Sequence, residues 1–408
     1  MPVAPPHRHA LFLLPTFTTL LAHLALLSST HAATPQLLAG DDWITGRDIT
    51  LFDGVLSPHL HLDTTFGTAS RPQEELATGH HDPIRRDGFT FQNLEFTLSG
   101  RLGEHHAFFA TLAGPIDDRD RFRPIFEEAF WKLQELPGGF EARLGRFYNR
   151  FGIQNTYHPH GFDWVDQYLA SSRAFGDDSL TTIGAELTWR LPTPWTSQID
   201  LAAGASPGPD DDAHGGDDFH SPRYNPEEGF YAKDRAQYVL NWTNLYRPTD
   251  FHQFRAGLSS AFGENLSGLR TQIHGAHLEY QWRENGLEPG GRFLRARSEA
   301  MMRRFRVEDE LSEGATPEAQ REFGCYTSVT YGLPSGLELG LRGEYLDGNS
   351  ETGTEARFRV SPAVTWYANQ EHTLRLRLQY NYDRGHERGD DHALWAQISL
   401  SWGGPEVR

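Results

Sequence analysis

Leu374-Arg375-Leu376-Arg377-Leu378-Gln379-Tyr380-Asn381-Tyr382-Asp383 decides the fold. Its odd and even positions separate cleanly: Leu374, Leu376, Leu378, Tyr380 and Tyr382 on one face, Arg375, Arg377, Gln379, Asn381 and Asp383 on the other. Strict period two marks a β-strand, and ten residues is about the length that crosses a bilayer as a tilted strand. The same reading holds for Leu337, Leu339 and Leu341 against Glu338, Arg342 and Glu344. It holds again for Phe358, Val360, Val364 and Trp366 against Arg357, Arg359 and Ser361, and for Leu394, Ala396, Ile398, Leu400 and Trp402 against Gln397, Ser399 and Ser401. Strands of a soluble sandwich alternate too, but they run to about 5–6 residues, whereas these run to roughly 10–13 and end on Trp or Tyr, as aromatic girdles do.

Extending the pattern along the chain predicts sixteen strands. They begin near Gly54, Phe89, His105, Phe126, Phe140, Leu180, Ser197, Ala236, His252, Arg270, Phe293, Gln320, Leu337, Arg357, Thr373 and His392. Short turns such as Leu136-Pro137-Gly138-Gly139, Leu191-Pro192-Thr193-Pro194, Leu333-Pro334-Ser335-Gly336 and Ala368-Asn369-Gln370 alternate with longer polar connections. From a periplasmic N-terminus the long connections fall at every odd position, where the extracellular loops of a bacterial barrel belong. The expected fold is therefore all-β, a transmembrane antiparallel β-barrel of about 16 strands with a long third extracellular loop. Two stretches leave 14 or 18 strands open: the turn around Leu287, and the hairpin from Phe126 to Phe147, where Glu127 and Glu128 interrupt the alternation.

Composition agrees and excludes other classes. The 408 residues carry 12% aromatics and 40 glycines but 3 methionines, a profile of strand formers. With 37 Lys plus Arg against 55 Asp plus Glu, the net charge of −18 offers no footprint for nucleic acid. Cys325 is the single cysteine, which rules out an intrachain disulfide and leaves it as a small strand residue. Residues 1–32 have the layout of a secretory signal peptide: basic Arg8, an apolar run from Ala10 to Leu27, and Thr30-His31-Ala32 before the expected cut. Residues 33–53 follow as a periplasmic N-terminal segment, 54–402 as the outer-membrane barrel and 403–408 as a short tail.

A barrel of this size encloses an aqueous channel, and 33–53 is too short to form a plug. The connection from Tyr148 to Ser179 is the constriction candidate, being long and dense in aromatic and charged residues. Parity turns Arg143, Arg295, Arg297, Arg342, Arg357, Arg359, Arg375 and Arg377 inward. This basic wall would face Asp163, Asp166, Asp177 and Asp178 of the loop, setting a transverse field across the passage; the alternative is that arginines pair with Glu299, Glu338 and Glu344 within the wall. His158 and His160 are the best candidates for a metal pair, ahead of His80-His81-Asp82 and the acidic run from Asp210 to His220, and Zn2+ or another divalent cation is the ion such donors suit.

The segments Phe126-Glu127-Glu128-Ala129-Phe130, Leu144-Gly145-Arg146-Phe147, Phe151-Gly152, Asn155, His158, His160, Val165-Asp166, Phe175-Gly176-Asp177 and Gly184-Ala185-Glu186-Leu187 resemble a stretch of porin-like outer-membrane proteins. That group is similar to the phosphate-selective porins, and some of its relatives are labelled zinc-regulated outer-membrane receptors. The resemblance implies a pore-forming barrel whose third loop folds inward, a homotrimer, and a last strand, His392 to Trp402, that is read by the barrel-assembly machinery. The lack of room for a plug departs from the receptor label.

The functional expectation is an outer-membrane porin of a Gram-negative-type bacterium, a passive channel for small hydrophilic solutes or ions, with outer-membrane lipid as its other partner. A zinc-uptake pore is the first alternative and a structural or enzymatic barrel the second. No His-Glu-x-x-His, no phosphate-cradling glycine loop and no convincing Ser/His pair on adjacent strands supports catalysis, so no enzyme activity and no resident cofactor are expected.

Overall fold

The computed structural model describes residues 50–403 apart from 53–54, 73–75, 77–81, 115–121, 123, 177–178, 208–235, 266–267, 307–318, 350–354, 369–372 and 386–388. The expected signal peptide, nearly all of 33–53, and the tail beyond Gly403 lie outside the described residues. So do His80, His81 and the Asp210 to His220 run.

Sixteen strands close one barrel in which every strand pairs antiparallel with its chain neighbours. The first eight are β1 (Leu56–Ala69), β2 (Asp87–Leu102), β3 (His106–Ala113), β4 (Ile125–Leu136), β5 (Phe140–Tyr148), β6 (Thr181–Arg190), β7 (Thr196–Ala205) and β8 (Ala236–Thr249). The rest are β9 (His252–Glu264), β10 (Arg270–Arg283), β11 (Phe293–Arg306), β12 (Ala319–Gly332), β13 (Leu337–Leu346), β14 (Arg357–Tyr367), β15 (Leu374–Gly385) and β16 (Gly389–Gly403). β1 seals the cylinder against β16, from His59 opposite Gly403 to Ala69 opposite Ala393. Closure leaves no strand edge to be satisfied in hydrocarbon, where an unpaired backbone group costs several kcal/mol.

All sixteen expected strands are present, including the two doubtful regions. The long turn after β10 is held by Arg292, whose backbone N–H and Nε both donate to Glu284 Oε2, at 2.9 and 3.1 Å. The break at Glu127 and Glu128 is a register shift in the pairing of β3 with β4: Thr111 faces Glu128, yet Leu112 faces Phe126. The extra residue turns both carboxylates inward, and each is buried. A second shift, where Asp63 faces Asn93 and Thr64 faces Phe91, does the same for Gln92 and Asn93 of β2.

The outer face is apolar and bounded by two aromatic belts. Trp131, Trp189, Trp195, Trp366 and Trp402 are exposed at the short-turn end, and Phe66, Phe89, Tyr238, Phe323, Tyr345 and Phe358 at the long-loop end. Between them lie Leu201, Leu258, Leu278, Leu341 and Leu378, all exposed, while most alternate residues of the same strands are polar and buried on the inner face, Ala202 and Ala261 being apolar exceptions. This inverts a soluble protein and fits a lipid solvent. Leu378→Arg is therefore expected to cost about 2–4 kcal/mol, measured by denaturant titration of the barrel folded into vesicles; an effect below ~0.5 kcal/mol would show that this face does not meet hydrocarbon.

Candidate functional site

The connection between β5 and β6, hereafter L3, turns into the barrel and packs against its inner wall. Its neck is pinched by Asn155, whose Nδ2 donates to the carbonyls of Asn149 (2.8 Å) and Leu180 (3.0 Å) while its Oδ1 accepts from the Leu180 amide (2.7 Å). Beyond the neck, Glu299 of β11 receives the amides of Ile153 (2.6 Å) and Gln154 (2.8 Å) on one oxygen, together with the Tyr326 hydroxyl (2.8 Å). Gly152 makes this approach feasible: its φ is +65°, and a Cβ there would lie 2.4 Å from a Glu299 carboxylate oxygen. Short 3-10 turns at Gln154–Thr156 and Pro159–Gly161 then carry the chain across, ending in α1 (Leu169–Phe175) against β11, β12 and β13.

Two aspartates fasten the middle of L3. Asp163 is gripped by Arg295 Nη2 (2.5 Å) and Arg297 Nη1 (2.6 Å) of β11. Asp166 accepts from Arg342 (2.7 Å), Arg359 (2.8 Å), Gln379 (2.6 Å) and Asn381 (2.8 Å), drawing together β13, β14 and β15. Arg375 donates to the carbonyls of His160 (3.0 Å) and Phe162 (3.3 Å), and Arg377 to that of Phe162 (2.9 Å). Six of the eight predicted arginines thus bind the loop. The other two pair elsewhere: Arg143 is bidentate to Glu186, both contacts at 2.8 Å, and Arg357 meets Asp383 at 2.6 Å.

This corrects the expected transverse field. Arg295, Arg297, Arg342 and Arg359 do not face the acidic loop across water; they touch it, so opposite charges cancel over a few ångströms. The expected pairing within the wall applies to Arg342 and Glu344 at 3.0 Å, whereas Glu299 serves the amides of L3. Asp177 and Asp178 lie outside the described residues.

Apolar contacts complete the seat. Arg342 stacks 4.9 Å above the Trp164 ring, and Tyr168 stacks on Tyr326 with centroids 3.6 Å apart. Phe151 and Phe175 of the loop join Phe109, Phe130 and Phe147 of the wall in one buried cluster. The Trp164 and Val165 side chains are likewise buried.

On the opposite side of the loop, His158 enters a pocket of carboxylates. Its Nδ1 lies 2.7 Å from Glu127 and 3.3 Å from Glu95, and its Nε2 lies 2.8 Å from Glu128. His160 approaches Glu95 at 3.1 Å, with its ring 5.8 Å from that of His158. The two predicted histidines therefore share one locus. Sequence reasoning missed Glu95, Glu127 and Glu128 as their partners; the broken alternation in β4 was the available signal, because two consecutive carboxylates can both face a lumen only at a bulge.

No protein-family model matches the chain. An uncharacterized protein of Aquifex aeolicus (strain VF5) is 21% identical over 328 residues, 76% of this chain and 67% of its own length. Among solved structures, the anion-selective porin from Comamonas acidovorans superposes with a TM-score of 0.53 at 10% identity, covering 85% of this chain and 99% of that one. Salmonella typhi OmpF, in a complex with daunomycin, gives 0.52 at 12% identity over 86% and 99%. Pseudomonas putida OprB gives 0.52 at 10% identity over 86% and 95%. The chain shares the porin fold with these proteins.

Burial pushes the Asp166 carboxyl up, but Arg342 and Arg359 outweigh burial and hold it below the usual carboxylate range. A group depressed on folding stabilises the folded loop above its unfolded value of about 3.9, and that contribution is lost as pH falls through the lower folded value. At pH 7 Asp166→Asn is expected to weaken the seat of L3 by about 3–5 kcal/mol, read by hydrogen exchange of the loop amides. The gap from wild type should stay constant near neutrality and shrink below roughly pH 4; a gap independent of acid would contradict the ion-pair assignment.

Proposed function

We propose that the protein is a porin of a Gram-negative-type outer membrane, a passive diffusion channel for small hydrophilic solutes or ions whose aperture is set by L3. The inward fold of L3, fastened at Asp163 and Asp166 to the polar inner face of β11 and β13 to β15, carries this reading. A sixteen-stranded cylinder leaves a water-filled interior, and a loop clamped across it narrows the passage to a polar slot. The polar groups that stay partly exposed at L3, among them Arg150, His160 and Asp163, give hydrated solutes hydrogen-bonding partners, while an apolar solute must shed its solvent to no benefit. Paired charges make the resting field weak, so size and hydration govern passage more than the sign of charge.

The chain reconstituted in a planar bilayer is expected to give stepwise conductance. Replacing residues 157–168 with a short Gly-Ser linker should raise the step severalfold. Asp163→Asn leaves Arg295 facing the passage without its loop carboxylate and should move the reversal potential in a salt gradient towards anions. A folded barrel silent both with and without the loop segment would overturn the channel reading.

A further inference from the structure

We propose that Glu95, Glu127 and His158 form a binding site for a first-row divalent cation on the inner wall, with Glu128 as the group that orients the imidazole. The three carry one donor atom each within 4.8 Å of one another, and all three are buried, at 0%, 1% and 0% exposure. One imidazole nitrogen with carboxylate oxygens is a donor set for zinc-like ions. The 3.3 Å between His158 Nδ1 and Glu95 Oε1 is close to the edge of a tetrahedron with bonds of about 2.0–2.1 Å. The 2.7 Å contact to Glu127 needs to open by roughly half an ångström on binding.

An independent feature distinguishes this cluster from a group of buried acids. His158 turns Nδ1 towards Glu95 and Glu127, and its other nitrogen, Nε2, meets Glu128 at 2.8 Å. The second oxygen of Glu128 is fixed in turn by the Tyr148 amide at 2.7 Å. A carboxylate on the far nitrogen of a ligating histidine sets its tautomer and raises its basicity, and such outer partners accompany metal-bound histidines almost always. The bulge in β4 makes the arrangement possible by aiming adjacent Glu127 and Glu128 at opposite nitrogens of one ring.

The site also has an approach. His160, 18% exposed, lies 3.1 Å from Glu95 and stands where a further ligand would enter. The rings of His61 and His59 follow at 5.2 and 5.4 Å from it, and His61 has its own carboxylate in Asp63 at 2.8 Å. Imidazoles spaced in this way hand a cation from the lumen to the buried donors.

The test is equilibrium binding, which is independent of whether the barrel conducts. The full-length chain, folded in detergent and stripped with chelator, is titrated with ZnCl2, and with MgCl2 for comparison. Zn2+ is expected to occupy a site that Mg2+ does not compete for. Glu127→Gln and His158→Gln should each remove one equivalent or weaken it at least ~10-fold, and Glu128→Gln should weaken it about 10–100-fold. Heat-modifiable mobility on gels verifies that each variant is folded. Wild-type protein supplies a second readout should the variants misfold: Co2+ is expected to show the visible d–d bands of a four- or five-coordinate ion, lost on adding one equivalent of Zn2+. Zn2+ binding unchanged in Glu127→Gln and His158→Gln, or a wild-type protein without the Co2+ bands, would overturn the proposal and leave His158 a salt-bridged imidazolium.

Discussion

Backbone hydrogen bonding in a solvent that offers none is the constraint on which this protein rests. A strand in hydrocarbon must pair along both edges, and the register of β1 with β16 completes that pairing around the whole circumference. Once the cylinder is closed, side chains have two destinations, lipid and lumen, and the period of two assigns each residue to one of them. The arginines of β15 and the leucines between them are consequences of a single geometric rule.

The lumen then poses the opposite problem. Its walls carry buried guanidiniums and carboxylates whose desolvation would be costly if any were left without a partner. L3 supplies many of the missing counter-charges and acceptors: Asp163 for Arg295 and Arg297, Asp166 for Arg342 and Arg359, and the carbonyls of His160 and Phe162 for Arg375 and Arg377. Wall and loop are therefore mutually dependent. Without the loop, Arg295 would lose Asp163, and Arg297, Arg342 and Arg359 would be left with the carboxylates of the wall, Glu279, Glu344 and Asp383 respectively. Burial of Trp164, Val165 and Tyr168 adds apolar contact to this electrostatic seat.

The architecture was legible because strand periodicity is a local signal. The inward-facing arginines could be named from parity alone, down to Arg375 and Arg377 on one strand. Their partners could not be. The Asp166 contacts span some two hundred residues of sequence, from Asp166 to Asn381, and no local pattern encodes a contact of that range. The direct pairing that replaced the expected transverse field belongs to this class. Glu127 and Glu128 illustrate a different limit. They read as a flaw in a strand, whereas a bulge makes them partners of the two nitrogens of one imidazole, and only the register of β3 against β4 distinguishes these meanings.

The proposed channel rests on the convergence of a closed barrel, a polar inner face and an inward loop, and takes the form of a water-filled passage narrowed at one level by L3. Vesicle swelling driven by a size series of uncharged sugars probes that convergence most directly. Vesicles containing the folded barrel should swell at rates that fall steeply as the sugar grows, with the cutoff moving to larger sugars once residues 157–168 are shortened. Vesicles that contain correctly folded protein and admit no sugar in either form would contradict it.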